Sequence, residues 1–554
     1  MGNIYNLSMD CYYLLRPNDL DTQLLESCFS TKITDLDQFR ELYFIKKYPF
    51  YSILEKKNPE EFQKFFDIYE NLRTFILNYK NMVPIKNLSL LETKTIKRKV
   101  ELKRKEVALI FILSFFDLIN IEQNIKNNSF IFSPILSSKD GAKFHFGRCF
   151  LNYLINIGKW LGENNKILDE TIIYARQNIE ESDIYEKDID LCDVNIIEKG
   201  SLFDGVASYC VDFANKYIGG GVLRGGSVQE EILFAIDPEA TVSMFFMEVM
   251  DKNDAIGIFN TIQYSNYKGY GRSFKFDENA IPEDLTKIKK HRIIAIDAIP
   301  NFKQKGLLDQ KDIMRDIHKA YVGFNLVNFE KEVKTKETKK NEKSEKEKEI
   351  EKGKEKEKEK EKDKGKGKEK DKGKEKGKEK EKEKGKEKRK EEDKGKDKEK
   401  GKEKGAAKGK EKDKGKEKEK EKDKEKGKVK EKGKEEDKGK VKEKVKVKDK
   451  EKNESSNNVK AIEKSISTGN WGCGVFGGNH VLKFIQQWIA ASFAGVKRLD
   501  YYTFEKNEMK IVIQRLDDIK NKYKKANELY NAIVYNQISD NNIIDVILEN
   551  DINK

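Results

Sequence analysis

The feature that most limits the fold of this chain is a stretch with no means of folding by itself. From residue 331 to residue 460, Lys and Glu alternate almost without interruption, 58 Lys and Arg against 40 Asp and Glu, with scarcely an apolar side chain. Like charges recur at i and i+4, which works against a helix, and repeated glycines lower helicity further. With so little apolar surface to bury, nothing offsets the entropy of ordering, so the tract is expected to be disordered. Any hydrophobic core must come from the other 424 residues.

The tract also accounts for the basic charge. The whole chain is +14 and the tract alone +18, which leaves the remainder slightly acidic at −4. Overall charge therefore gives no ground for a nucleic-acid partner. Six cysteines (Cys11, Cys28, Cys149, Cys192, Cys210, Cys473) lack C-x-x-C spacing and the four histidines are scattered, so neither a zinc site nor a disulfide framework is expected. Only Cys473, inside a glycine-rich loop, is kept open as a functional thiol. The amino terminus has no basic flank followed by an apolar run, so secretion is not expected, and Asn6 stands where a myristoylation pattern wants Ser or Thr. The longest apolar run, Val107 to Phe116, is too short for a bilayer, which needs ~20 residues.

Hydrophobic periodicity divides the rest in two. Before residue 170 the stripes are helical: Phe62, Phe65, Phe66, Tyr69, Leu72, Phe75 and Ile76, then Val107, Ile110, Phe111, Ser114 and Phe115, then a helix over Phe150 to Leu161. Trp160 and His145 read as packing or surface residues. From about residue 190 short β-rich runs (206–213, 255–261, 273–276, 292–299, 499–504) alternate with helices expected at 240–250 and 480–494. That is an α/β pattern. In the last helix Val481, Phe484, Ile485, Trp488 and Ile489 form one apolar face, which makes Trp488 core. After Phe504 the chain is again helical, without a chemical motif.

One stretch carries the chemistry. Residues 211–231 read VDFANKYIGGGVLRGGSVQEE, an apolar run, three glycines and then Gln229, Glu230 and Glu231. Glycines at 219, 220 and 221 allow unusual backbone angles and close approach of N–H groups to an anion, the outline of a phosphate cradle. Ser227 to Glu230 spell S-x-x-E before an apolar run, so a helix is expected to begin near Val228. Adjacent helical residues point roughly 100° apart, so one glutamate would act and the other would position. A general acid needs a raised pKa, which burial and a second carboxylate supply and a helix N-terminus opposes. The plainer reading makes Glu230 the capping partner of Ser227. The glycines do not form a P-loop, which needs G-K-[ST], and fit G-x-G-x-x-G only loosely.

The order GGG, seven residues, QEE, preceded by VDFAN, resembles the signature of the poly(ADP-ribose) glycohydrolases. QYSNYKGY at 263–270, IAIDA at 294–298, KAYVGF at 319–324, TGNWGCGVFGG at 468–478 and YYTF at 501–504 follow in the family's order. The likeness is strong over 200–324 and 468–504. It implies a macrodomain, a mixed sheet between helical layers, with an N-terminal all-helical accessory domain over 1–170. The catalytic domain would run over 171–330 and 467–554, with residues 331–466 a low-complexity insertion between its parts. It also implies hydrolysis of the ribose–ribose O-glycosidic bonds of poly(ADP-ribose), without metal or other cofactor.

Carried over position by position, Asp212, Glu230 and Glu231 match the family's catalytic acids. Glu231 would protonate the leaving ribose oxygen and then deprotonate the attacking water, Glu230 would hold ribose hydroxyls, and Asp212 would support the pocket. Asn215 and Gln229 match substrate contacts. Gly219, Gly220 and Gly221 would face the diphosphate, with Asn470, Trp471, Gly472, Cys473, Gly474 and Val475 forming a second phosphate loop through main-chain donors. Tyr270 and Phe504 match aromatic positions near the adenine and diphosphate end. Where the family carries a glutamate reading the adenine edge, this chain has Leu202, Phe203 and Asp204; either Asp204 substitutes or the contact is lost.

The resemblance implies poly(ADP-ribose) and poly-ADP-ribosylated proteins as partners, no membrane, a monomer, and a nuclear or cytoplasmic location. The Lys tract would either steer the polyanionic substrate or be a solvated insertion with no part in chemistry. Two other functions compete. A macrodomain reader that binds ADP-ribose without cleaving it would have no need of QEE, and a metal-dependent nucleotide hydrolase would need clustered His and Asp ligands, which the chain lacks.

Overall fold

The structure is a computed structural model that describes residues 20–83, 85, 88–119, 130–181, 183–203, 207–300, 308–329 and 464–549. The tract at 331–460 and Asp204 lie outside the described residues. Among the described residues ten strands are formed: β1 Lys97–Lys103, β2 Thr171–Asn178, β3 Asp193–Ile197, β4 Tyr209–Ala214, β5 Asp254–Ile262, β6 Ser265–Lys268, β7 Lys275–Asn279, β8 Lys290–Asp297, β9 Ser465–Gly469 and β10 Arg498–Tyr502. Eight of them make one mixed sheet in the order β1-β2-β5-β8-β4-β9-β10-β3, and β6 pairs with β7 alone. The β8-β4-β9-β10-β3 part is parallel, whereas β1, β2 and β5 run antiparallel to their neighbours.

Alternation along the central strands assigns each face. In β8, Ile293 and Ala295 join one core while Ile294 and Ile296 join the other, so the strand reads as a continuous apolar run because both faces are covered. The first core holds the helices before residue 170 and the helix Gln229–Ile236; the second holds Gln310–Phe324, His480–Phe493 and the C-terminal helices. Asp212 has the parity of Cys210 and Ala214 on β4, which places it on the first-core face. No helix among the described residues is long and apolar enough to cross a membrane.

Strands β2, β3, β6 and β9 lie where no strand was expected, and two further elements differ from the sequence reading. The region before residue 170 also supplies β1, an edge strand in which only Val100 and Leu102 are buried. Its exposed positions are Lys and Arg, as suits a sheet edge, and so short an alternation gives little signal. The helix expected at 240–250 is a single turn, Pro238–Thr241, followed by a 3-10 turn, Val242–Phe245. These residues are buried on every side, so their hydrophobicity reports burial and not helical period.

A buried ion pair ties the N-terminal layer to the segment after the Gln229–Ile236 helix. Arg104, wholly buried at the start of Arg104–Phe115, donates to Glu239 Oε1 and Glu170 Oε2, both at 2.7 Å, and to the Asn260 carbonyl at 2.7 Å. Glu239 also accepts from the Tyr264 hydroxyl at 2.8 Å. Arg104→Met leaves that carboxylate without its cation and is expected to cost about 3–5 kcal/mol. Denaturant unfolding of the variant against wild type checks this.

Candidate active site

The site is assembled where β4 ends. Asp212 is completely buried, and neither of its carboxylate oxygens has a hydrogen-bond partner. Burial, with the charge of Glu231 added, pushes its pKa well above the carboxylate range. Beyond Ala214 the chain turns back over the first turn of Gln229–Ile236, and its N–H groups close on the two glutamates. The Asn215 N–H donates to Glu230 Oε2 at 2.9 Å and the Gly219 N–H to Glu230 Oε1 at 2.8 Å. The Gly221 N–H donates to Glu231 Oε1 at 2.9 Å, and the Val228 N–H to Glu231 Oε2 at 2.9 Å. Gln229 extends the ladder of β4, accepting from the Phe213 N–H at 2.8 Å and donating to the Val211 carbonyl at 3.1 Å.

This geometry explains the glycines. Gly219 and Gly220 have φ of +81° and +50°, in the region that side chains avoid. A Cβ on Gly220 would stand 2.6 Å from Glu231 Oε1 and closer still to Glu230 Oε2, so the loop wraps both carboxylates only if that position is bare. Gly226 is under the same constraint, with its Cβ position 2.6 Å from Glu231 Oε1. Because both glutamates reach back into one loop, their carboxyl groups meet there despite the angle between adjacent residues on the helix.

Two sequence expectations change here. The capping glutamate is Glu231 and the N-cap is Val228, one position on from the Ser227–Glu230 pairing, so the residue expected to act as the acid also closes the helix end. The N–H groups of Gly219, Gly220 and Gly221 are all engaged within the protein, on Glu230, the Tyr217 carbonyl and Glu231. The anion held by this cradle is the glutamate pair, and a diphosphate has no free donor among these three.

The second glycine loop is arranged differently. Trp471 is spent on the framework: its side chain is buried, its indole donates to the Ile296 carbonyl at 2.9 Å, and its N–H donates to Gly469. The Cys473 N–H is also used, on Asn470, and burial pushes the Cys473 thiol up to about 12, which leaves it unreactive. Asn470 donates through its amide to the Thr503 carbonyl at 3.0 Å. The N–H groups of Gly472, Gly474 and Val475, however, meet no acceptor among the described residues, and Val475 is 66% exposed. Beneath them Lys483 pairs with Asp316 and lies 4.6 Å over the Trp471 ring.

Aromatic side chains stand at the rim. Tyr270 is 58% exposed, and its turn is tied to the glycine loop by the Gly271 N–H donating to the Ser227 carbonyl at 3.0 Å. Burial raises the Tyr270 phenol, the neighbouring Gln229 amide lowers it, and the Glu231 charge adds to the rise. Phe504, 41% exposed, holds φ at +52°, a strained value for a bulky side chain of the kind that clusters at functional sites. Leu202 and Phe203 are buried in the core, so neither is free to read a base edge.

Glu230 shares the behaviour of Asp212. Burial and then the charges of Asp212 and Glu231 raise it well above the usual range, against the pull of its two N–H donors. A carboxylic acid raised on folding stabilises the folded state below its ordinary value and loses that contribution as pH climbs toward the raised one. Asp212→Asn is therefore expected to unfold near the wild-type temperature at pH 4 and above it at pH 8, the difference widening with pH. Melting curves at several pH values check this, and a difference that shrinks with pH contradicts it.

Residues 181–354 and 419–511 match the family model of the poly(ADP-ribose) glycohydrolase (PARG) catalytic domain, described as having a macro domain fold. Over those residues the chain is similar to the poly(ADP-ribose) glycohydrolase family. Poly(ADP-ribose) glycohydrolase 1 of Arabidopsis thaliana is 41% identical over 151 residues, 26% of this chain and 27% of that protein. Probable poly(ADP-ribose) glycohydrolase 2 of the same plant is 29% identical over 244 residues, 41% of this chain and 46% of that protein. Poly(ADP-ribose) glycohydrolase 2 of Caenorhabditis elegans is 33% identical over 149 residues, 24% of this chain and 30% of that protein. The matched stretches thus span less than half the length of these curated relatives. The sheet and helical layers agree with the macrodomain expected of the family.

Several residues of this site escaped sequence reasoning. Gly226 and Val228 hold Glu231, and the doubled glycine at 225–226 was an available signal for the first. Lys483 had none, being the one lysine in a largely apolar helix.

Proposed function

We propose that this chain hydrolyses the ribose–ribose O-glycosidic bonds of poly(ADP-ribose) and releases ADP-ribose. The observation that carries the reading is the trio of buried acids at the end of β4, two of them clasped by main-chain N–H groups of one glycine loop. Burial and mutual repulsion raise Asp212 and Glu230 well above the usual carboxylate range, the direction a general-acid site requires. Glu231 gives a proton to the leaving ribose oxygen as the C1–O bond breaks, and the charge on C1 is shared with the ring oxygen. Water then attacks C1 and returns its proton to Glu231.

Glu230 orients ribose hydroxyls, and Asp212 supports the ribose pocket and the loop. Asn215 and Gln229 contact the substrate. The diphosphate rests on the open N–H groups of Gly472, Gly474 and Val475 within the 470–475 loop, with Tyr270 and Phe504 flanking the adenine end. Residues 1–170 serve as an accessory layer, 171–330 and 467–554 as the catalytic domain, and 331–466 as an insertion. The chain acts as a monomer on poly-ADP-ribosylated proteins, in nucleus or cytoplasm.

Among the described residues no three His, Cys, Asp or Glu side chains are grouped to hold a metal ion. The test is release of ADP-ribose from poly(ADP-ribose) by purified protein in EDTA, with turnover expected to match that in untreated buffer. Binding of ADP-ribose without release would favour a reader, and release abolished by EDTA would move the reading to metal-assisted hydrolysis.

A further inference from the structure

We propose that a basic surface beside the 224–228 loop carries the pyrophosphates of polymer units beyond the one being cleaved, so that the protein prefers long chains. The proposal rests on the glycohydrolase reading above and deepens it. Glu231 is roofed by Gly226. The preceding residue, Gly225, with φ +98°, is covered in turn by the stem of Lys143 from the first turn of the helix Gly141–Gly162. A lysine thus lies along the outside of the loop whose inside holds the catalytic carboxylates.

Other cations flank the first turns of the same helix. Lys57, at the end of Pro49–Lys57, has its ammonium 5.6 Å from the Phe144 ring, and Lys275 begins β7. Between them stands His145, which burial and then the charges of Arg148, Lys275 and Lys57 bring down to about 4, with no carboxylate among the charges acting on it. The turn before Lys275 is locked to the same helix by Phe274 against Phe146, ring centres 4.7 Å apart, and to the catalytic loop through Gly271 and Ser227. Arg148 is neutralised by Glu61 at 2.7 Å. Lys57, Lys143, Arg272 and Lys275 have no ion-pair partner among the described residues.

Unneutralised cations around the start of the helix that covers this loop, on a body whose net charge outside the Lys tract is −4, need a reason. A polymer with a pyrophosphate in every repeat supplies one, since each phosphate that finds a fixed cation releases condensed counterions. A single-linkage substrate ends before reaching the lysines.

The test compares full-length wild type with a variant carrying Lys57→Ala, Lys143→Met and Lys275→Ala; the methionine keeps the stem that covers Gly225. For long poly(ADP-ribose), kcat/KM is expected to fall about tenfold at low salt, and its log–log salt slope to flatten by roughly one per lost cation. For a dimer with one ribose–ribose bond it is expected to change by less than about twofold. Equal losses on both substrates, or none on either, would overturn the proposal. So would equal weakening of binding to a single-stranded RNA of matched length, since the surface would then serve any polyanion. If wild type cleaves neither substrate, the glycohydrolase reading fails separately; the salt slope of long-polymer binding then decides, and an unchanged slope ends the idea.

Discussion

Glu231→Gln is expected to release ADP-ribose from poly(ADP-ribose) about a thousandfold more slowly than wild type while still binding ADP-ribose. The amide cannot give up a proton to the leaving ribose oxygen, nor take one from the attacking water. Its effect is not confined to chemistry. Glu231 accepts N–H bonds on both oxygens, from Gly221 and Val228, and the NH2 of glutamine must face one of those donors. One bond is lost and a buried donor is left unsatisfied, at about 1–3 kcal/mol. A lower melting temperature should therefore accompany the lost turnover, and binding of ADP-ribose serves as the control for a folded pocket. Turnover within a few-fold of wild type would remove Glu231 from the acid role.

Gly220→Ala is the second substitution with a large expected effect, and it tests the loop itself. Alanine at φ +50° costs about 1–2 kcal/mol in backbone strain alone. The larger consequence is steric, since the new methyl occupies the space where the carboxyl groups of Glu230 and Glu231 meet. The loop must lift, and the N–H bonds from Gly219 and Gly221 stretch with it. Turnover should fall to the level of Glu231→Gln. Gly495→Ala separates the two causes, because Gly495 has φ +68° and open space where the methyl would go. That variant should lose a comparable strain energy in a melting experiment and keep its activity. If Gly220→Ala stays active, the carboxylates are not held by this loop.

The extent to which the site could be read in the sequence follows from how local each interaction is. Three glycines announce positive φ and close approach, and an S-x-x-E pattern announces a helix start within one residue of where it occurs. Asp212 carries no such sign. On β4 it is one polar residue in an apolar run, and only its likeness to family positions singled it out. Its isolation is a property of the folded chain, because a carboxylate without a single donor arises only when strand, loop and helix close around it. The helix wrongly extended over 240–250 and the unforeseen β1 show the same limit. Period signals report which side of an element is buried, and they fade where all sides or very few residues are.

The amino-acid sequence by itself determined the conformational permissions of this protein: where the backbone is free to turn through positive φ, where a helix starts, which segments have apolar surface to bury, and that the Lys/Glu tract does not. Only the tertiary structure decided who meets whom. It assigned the glycine N–H groups to Glu230 and Glu231 in place of a diphosphate, transferred the capping contact to Glu231, left donors on Gly472, Gly474 and Val475 without an acceptor among the described residues, and put Lys143 behind the glycine loop. The reason is physical. Backbone freedom is a property of each residue and its neighbours, whereas the partner of a donor depends on which acceptor the packed chain brings within 3 Å or so.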